Sequence, residues 1–189
     1  MVRIANSVLL MLALIGAGFA WNASPAYVAA SRENSRLTAT VGQFAVDDQN
    51  RFHVVSVPTG NRLEWKWFVY IPANCGCALK SASRVGGDSY VRKMTDEEYG
   101  VIRVRMRNVE GTWYLWYSGL GGSARRSISA TLMEDVDQFR IQAEPSQVTS
   151  FAATDAIELL SIQSPTDKGF YYRLAWGGPD AVTQVLADE

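Results

Sequence analysis

The sequence predicts an all-β fold: a single antiparallel β-sandwich-like domain after an N-terminal hydrophobic helix. Apolar residues recur at every second position in run after run, the mark of half-buried strands. Turn formers break these runs at short intervals, as in Pro58-Thr59-Gly60-Asn61 and Pro165-Thr166-Asp167-Lys168-Gly169. Ahead of them all, Val8 to Trp21 is apolar and uncharged.

That leading stretch has the form of a signal peptide or an uncleaved signal anchor. Arg3 precedes it, and no acidic residue comes before Glu33. On its own it is shorter than the roughly 20 residues that cross hydrocarbon. Extended to Ala30 it makes a span, with Trp21 and Tyr27 as interfacial aromatics. The expected organisation is a leader over 1–30, a polar linker over 31–37, a β-domain over 38–180 and a C-terminal tail over 181–189. The domain is then expected on the extracytoplasmic side, tethered to the membrane through the N-terminal segment, or secreted if the leader is cleaved.

Val101 to Arg107 is the clearest strand. Val101, Arg103, Arg105 and Arg107 point one way, and Ile102, Val104 and Met106 the other. Thr112 to Ser118 carries aromatics on both faces, and Asn108-Val109-Glu110-Gly111 joins the two as a hairpin with glycine at a positive-φ position. In Leu63 to Ile71, Trp65 and Trp67 share a face with Leu63, Val69 and Ile71. Arg126 to Leu132 turns Ile128, Ala130 and Leu132 inward, and Phe170 to Trp176 presents Phe170, Tyr172, Leu174 and Trp176 on one side. Weaker strands are expected at Thr38–Val46, Phe52–Val57, Gln138–Ala143 and Ile157–Gln163, the last with an alternative reading as the start of a short helix. Ser81 to Gly100 has no strong pattern. Within it, Thr95 and Glu98 have the spacing of a capping box. Gly119 to Gly122 reads as a loop.

Lys and Arg total 18 against 19 Asp and Glu. This balance lacks the basic excess of a nucleic-acid binder, so no nucleic-acid partner is expected. No cofactor motif is present: the glycines at 119–122 lack the Lys-Ser or Lys-Thr that completes a phosphate loop. Cys75-Gly76-Cys77 is the disulfide candidate, although a bridge across one residue is strained, and free thiols are the alternative. One histidine and no second cysteine pair leave a metal site short of ligands, so no metal is expected. His53, the single imidazole, is read as a structural side chain with one hydrogen-bond partner.

The candidate ligand-binding residues are Trp65, Trp67, Trp113, Tyr114, Trp116, Arg103 and Arg105. Both faces of Thr112–Ser118 cannot face one core, so some of these aromatics are exposed or covered by a loop. Exposed rings stack on sugars; buried ones pair across strands. The arginine row suits cation–π contacts with Tyr114 and Trp116, ion pairs with Glu64 or Glu134, or an anion site.

The segment Arg62-Leu63-Glu64-Trp65-Lys66-Trp67-Phe68-Val69-Tyr70-Ile71-Pro72 resembles a Trp- and Tyr-bearing stretch in small uncharacterised proteins of planctomycete bacteria. Ile102-Arg103-Val104-Arg105 followed by Thr112-Trp113-Tyr114-Leu115 is similar in style. The resemblance implies an N-terminal membrane segment before a β-rich domain, and brings no activity with it. The expected function is a non-enzymatic envelope or interaction protein. The alternatives are a carbohydrate-binding module using exposed aromatics, or a hydrolase with an unrecognised site. An envelope protein or a glycan is the expected partner.

Overall fold

The computed structural model describes residues 44–166 and 169–187. The apolar leader, the linker and most of the strand expected over Thr38–Val46 lie outside them, and residues 44–46 form no strand. Among the described residues, no helix is long and apolar enough to cross a membrane.

Two antiparallel sheets form the domain. The six-stranded sheet has the order β7-β6-β5-β2-β1-β9. Its strands are β1 (Phe52–Val57), β2 (Glu64–Ile71), β5 (Glu98–Val109), β6 (Thr112–Gly119), β7 (Gly122–Ile128) and β9 (Thr149–Phe151). The five-stranded sheet has the order β4-β3-β11-β10-β8. It is built from β3 (Gly76–Ser83), β4 (Ser89–Lys93), β8 (Arg140–Ala143), β10 (Ala156–Gln163) and β11 (Tyr171–Gly177). One helix, α1 (Pro179–Ala187), follows β11.

Alternation decides which side chains enter the core. Trp65, Trp67, Val69 and Ile71 of β2 and Ile102, Val104 and Met106 of β5 are buried in one cluster with Leu79, Ile162, Leu174 and Trp176 of the other sheet. Trp176 takes Phe52 and Phe151 against its ring, with centroids 5.0 and 5.4 Å away. Each large apolar side chain withdrawn from water in this way contributes about 1.5–3 kcal/mol. Trp67 also donates its indole N–H to the Glu144 carbonyl at 2.8 Å, so its one polar atom is satisfied inside the core.

Two tight turns set the register of the β5-β6-β7 meander. Val109 pairs with Thr112 across Glu110 and Gly111, both at positive φ (52° and 83°). This is the two-residue turn whose twist matches the strands. The Asn108 side-chain oxygen accepts the Gly111 N–H at 2.9 Å. The second turn, Leu120-Gly121, has the same form, with φ of 53° and 85°, and joins Gly119 to Gly122. The segment expected as a loop is therefore a hairpin. Leucine is strained at positive φ, and burial of the Leu120 side chain in the core offsets that strain.

Other expectations change. Ile157 lies in β10 opposite Trp176 of β11, and β8 joins the strand from Leu160 on, so the helical alternative gives way to ladder hydrogen bonds. Thr95 caps no helix: Glu98 begins β5 and forms an ion pair with Arg92 at 2.8 Å. The strand expected over Arg126–Leu132 starts earlier and ends at Ile128, and Ala130–Met133 is a 3₁₀ turn with Ala130 exposed. The expected tail is helical, with Val182 of α1 fully buried on Ala78 and Ala175. Those two small residues, on the outer face of the five-stranded sheet, let the helix axis come close.

Candidate functional site

The outer face of the six-stranded sheet divides into a covered half and an open half. In the covered half, residues 44–51 place acceptors and an aromatic ring over His53 of β1 and Tyr70 of β2, which pair directly. The Tyr70 ring packs on Tyr99 at 5.1 Å, and Phe44 reaches Tyr99 edge-on. His53 is fully buried. Its Nε2 lies 2.7 Å from the Asp48 carbonyl, and its Nδ1 is 3.5 Å from the Asp47 carboxylate. Both ring nitrogens thus face the covering segment, which makes His53 a structural clasp. Tyr70 donates its hydroxyl to Glu97 at 2.8 Å. Burial, reinforced by the Glu97 carboxylate, pushes its phenol up to about 12.

The open half is a lattice of cations and rings on β2, β5, β6 and β7. Three cross-strand rows follow from the pairing. Glu64, Arg105, Trp116 and Arg125 form the first, Lys66, Arg103, Ser118 and Ser123 the second, and Arg107, Tyr114 and Ser127 the third. The Arg105 guanidinium lies over the Trp116 ring, 5.1 Å from its centroid, and that of Arg125 over Tyr114 at 4.9 Å. The two rings are themselves 5.3 Å apart. Lys66 sits over Phe68 at 5.2 Å. Glu64 is the one carboxylate in these rows, and Arg103 already holds it at 2.5 Å.

Arg103, Arg105 and Arg107 stand two residues apart on one strand, about 6.6 Å from one to the next. Like charges this close on one face oppose folding. The aromatic rings lower that cost by accepting the guanidinium faces. They leave the planar N–H edges to be satisfied from elsewhere. The Arg105 Nε is buried and has no hydrogen-bond partner among the described residues. Between the strands lies a concavity of about 430 Å³, bordered by Arg103, Arg105, Trp116, Ser118, Ser123 and Arg125.

The seven expected ligand-binding residues are therefore divided. Arg103, Arg105, Tyr114 and Trp116 come together on the open face. Trp65 and Trp67 do not join them: their positions on β2 point inward, and both are buried between the sheets. Trp113 also turns inward, half-buried against the core. Sequence reading missed Arg125, because the strand was begun one residue after it. The Leu120-Gly121 turn carries the signal that would have found it, since a two-residue hairpin places Arg125 opposite Trp116.

The cysteine pair forms no bridge. Cys75 and Cys77 are free thiols, and Cys75 donates to the Pro72 carbonyl at 3.0 Å. Cys75 precedes β3 and is half-buried, while Cys77 lies within the extended strand and is buried. Burial raises the Cys75 thiol and pushes Cys77 up to about 11. Both thus stay protonated and poorly nucleophilic. Among the described residues, no group of three or more His, Cys, Asp or Glu is placed to hold a metal ion.

No family model, no curated protein and no solved structure matches the chain.

Proposed function

We propose that this chain is a non-enzymatic interaction protein of the cell envelope, which engages an anionic ligand through the open outer face of its six-stranded sheet. In this reading the domain works outside the cytoplasm, tethered by the apolar N-terminal segment or released by its cleavage. The observation that carries the proposal is the treatment of Arg105 and Arg125. Their faces rest on Trp116 and Tyr114, while Arg105 keeps a buried, unpaired Nε beside the concavity. Arginines held only for stability are met by acceptors. Here the guanidiniums lie over rings with Ser118 and Ser123 nearby, the one carboxylate opposite Arg105, Glu64, is held by Arg103, and we read the remaining donors as kept for a ligand.

The same stacking weighs against the aromatic strip as a platform for neutral sugars. A sugar ring needs an aromatic face, and a guanidinium already lies over each of the two central rings.

The test is retention of the full-length protein on immobilised dextran sulfate and on uncharged dextran. The expected result is retention on the sulfated matrix alone, falling as salt rises, with loss in an Arg105→Gln/Arg125→Gln double variant. Equal retention on both matrices, or an unaffected double variant, overturns the proposal.

A further inference from the structure

We infer that the ligand is a linear acidic polysaccharide, carboxylated or sulfated, bound along β5 with its charged groups on the arginine row and its hydroxyls on Ser118 and Ser123. The inference rests on the reading of this face as the binding surface, and adds the class of ligand.

Four features select that class. First, Arg103, Arg105 and Arg107 repeat along one strand, and among the described residues a carboxylate, Glu64, is held by Arg103 alone, so the face still offers cations in a line. A line of cations suits a chain with recurring charges better than a single compact anion. Second, the cations of this row are arginines, and Arg105, like Arg125 of β7, has its guanidinium over an aromatic ring. A fixed planar fork presents two parallel N–H bonds to a carboxylate or a sulfate. Third, Ser118 and Ser123 pair directly across β6 and β7, next to Arg103. Each hydroxyl both donates and accepts, which matches the hydroxyls of a sugar, whereas a bare polyanion uses the donor alone. Fourth, the concavity of about 430 Å³ is in the range of ligand clefts, yet Arg103, Ser123 and Arg125 on its rim are exposed. A cleft with an exposed rim admits a chain that runs beyond it.

Two other polyanions fit less well. Single-stranded nucleic acid is gripped by stacking bases on open aromatic faces, and Trp116 and Tyr114 have theirs covered by Arg105 and Arg125. An anionic bilayer is met by protruding basic and apolar side chains, whereas these cations border a depression between strands.

The experiment is calorimetric titration of the full-length protein in detergent with four probes: oligogalacturonate, its neutral methyl ester, sulfated dextran oligomers, and phosphatidylglycerol vesicles. Binding of oligogalacturonate, of sulfated dextran oligomers, or of both is expected, and either one alone identifies which acidic group the site prefers. The methyl ester is expected to bind at least tenfold more weakly. Arg105→Gln and Arg125→Gln are each expected to weaken binding at least tenfold. Arg105→Lys, which keeps the charge and loses the fork, should weaken it several-fold, and a Ser118→Ala/Ser123→Ala variant about threefold. Arg140→Gln, on β8 of the other sheet, leaves binding unchanged. Thermal melts of each variant check that the fold is intact. Equal binding of acid and ester overturns the inference. Binding of vesicles without either oligosaccharide also overturns it, while the anion-binding face itself stands. Silence from all the anionic probes removes both the inference and the proposed function beneath it.

Discussion

On the outer face of the five-stranded sheet, Arg173 of β11 lies under α1. It makes a forked pair with Glu158, including a 2.6 Å contact, and donates to the Val185 carbonyl at the end of the helix. On the outer face of the six-stranded sheet, Arg105 of β5 lies across Trp116 and leaves its buried Nε unpaired. Both arginines belong to central strands, point away from the core and are at least partly withdrawn from water. They differ in what surrounds them. Arg173 has a carboxylate and the negative end of a helix, the environment that stabilises a buried cation within the fold. Arg105 has a ring, other cations and, opposite it, Glu64, whose carboxylate Arg103 already holds. A side chain whose charge is neutralised internally holds structure together, while one whose charge is only cushioned is available to something else. The same division runs across the six-stranded sheet itself, where residues 44–51 supply acceptors over His53 and Tyr70 at one end and the cations stand open at the other.

The sharpest way to break this contrast is to remove each arginine. Arg173→Met strands the Glu158 carboxylate beneath the helix and is expected to cost about 2–3 kcal/mol in urea unfolding, below the range for fully buried pairs because Glu158 keeps some solvent. Arg105→Met is expected to stay within about 0.5 kcal/mol of the parent, or to gain slightly as the repulsion within the row falls. Comparable losses in the two variants would make Arg105 a structural residue and dissolve the distinction.

The covered and open halves of the six-stranded sheet separate by pH. The folded protein holds the Tyr70 proton up to about 12, whereas an unfolded tyrosine releases it near its ordinary value of 10.0. Between those values the unfolded chain binds fewer protons, so stability is complete below pH 10 and falls as pH rises toward 12. Unfolding midpoints measured across this window should decline in the parent and decline less in Tyr70→Phe. Tyr172, raised in the same direction by burial in the core, accounts for a remaining fall in that variant. An unchanged slope in Tyr70→Phe would show that the covering segment does not seal Tyr70 from water.

A small effect is expected at the ring beneath Arg105. Trp116→Leu removes one cation–π contact on a half-exposed face and should cost about 0.5–1 kcal/mol in chemical denaturation. A loss of 3 kcal/mol or more, the size seen when a core tryptophan is truncated, would place Trp116 in the packing of the domain and not on a surface kept for binding.

Much of the domain was legible because strand alternation has a period of two. Once Ile102, Val104 and Met106 are assigned inward, Arg103, Arg105 and Arg107 must point outward, and the Glu110-Gly111 turn carries that register to β6. The strands that escaped notice are those whose residues carry little pattern. In β3, the run Gly76-Cys77-Ala78-Leu79-Lys80-Ser81-Ala82-Ser83 is small and polar by strand standards. It is extended because β4 and β11 pair with it on either side. The helix α1 was equally hidden, since Val182 is apolar in a short polar context until Ala78 and Ala175 offer it a surface.

The sequence by itself determined the all-β class, the principal hairpin and the facing of the arginine row, because each depends on local alternation and turn chemistry. It left open which of two aromatic-rich strands faces water, since Trp67 and Trp116 have equally apolar side chains and similar neighbours. Only the tertiary structure decided that. The second sheet covers the inner face and buries Trp67. Among the described residues the outer face beyond Tyr70 receives no covering layer, so Arg105, Trp116, Tyr114 and Arg125, from three strands, meet there. Their meeting depends on cross-strand register over residues far apart in the chain, and that is a property of the packed sheets.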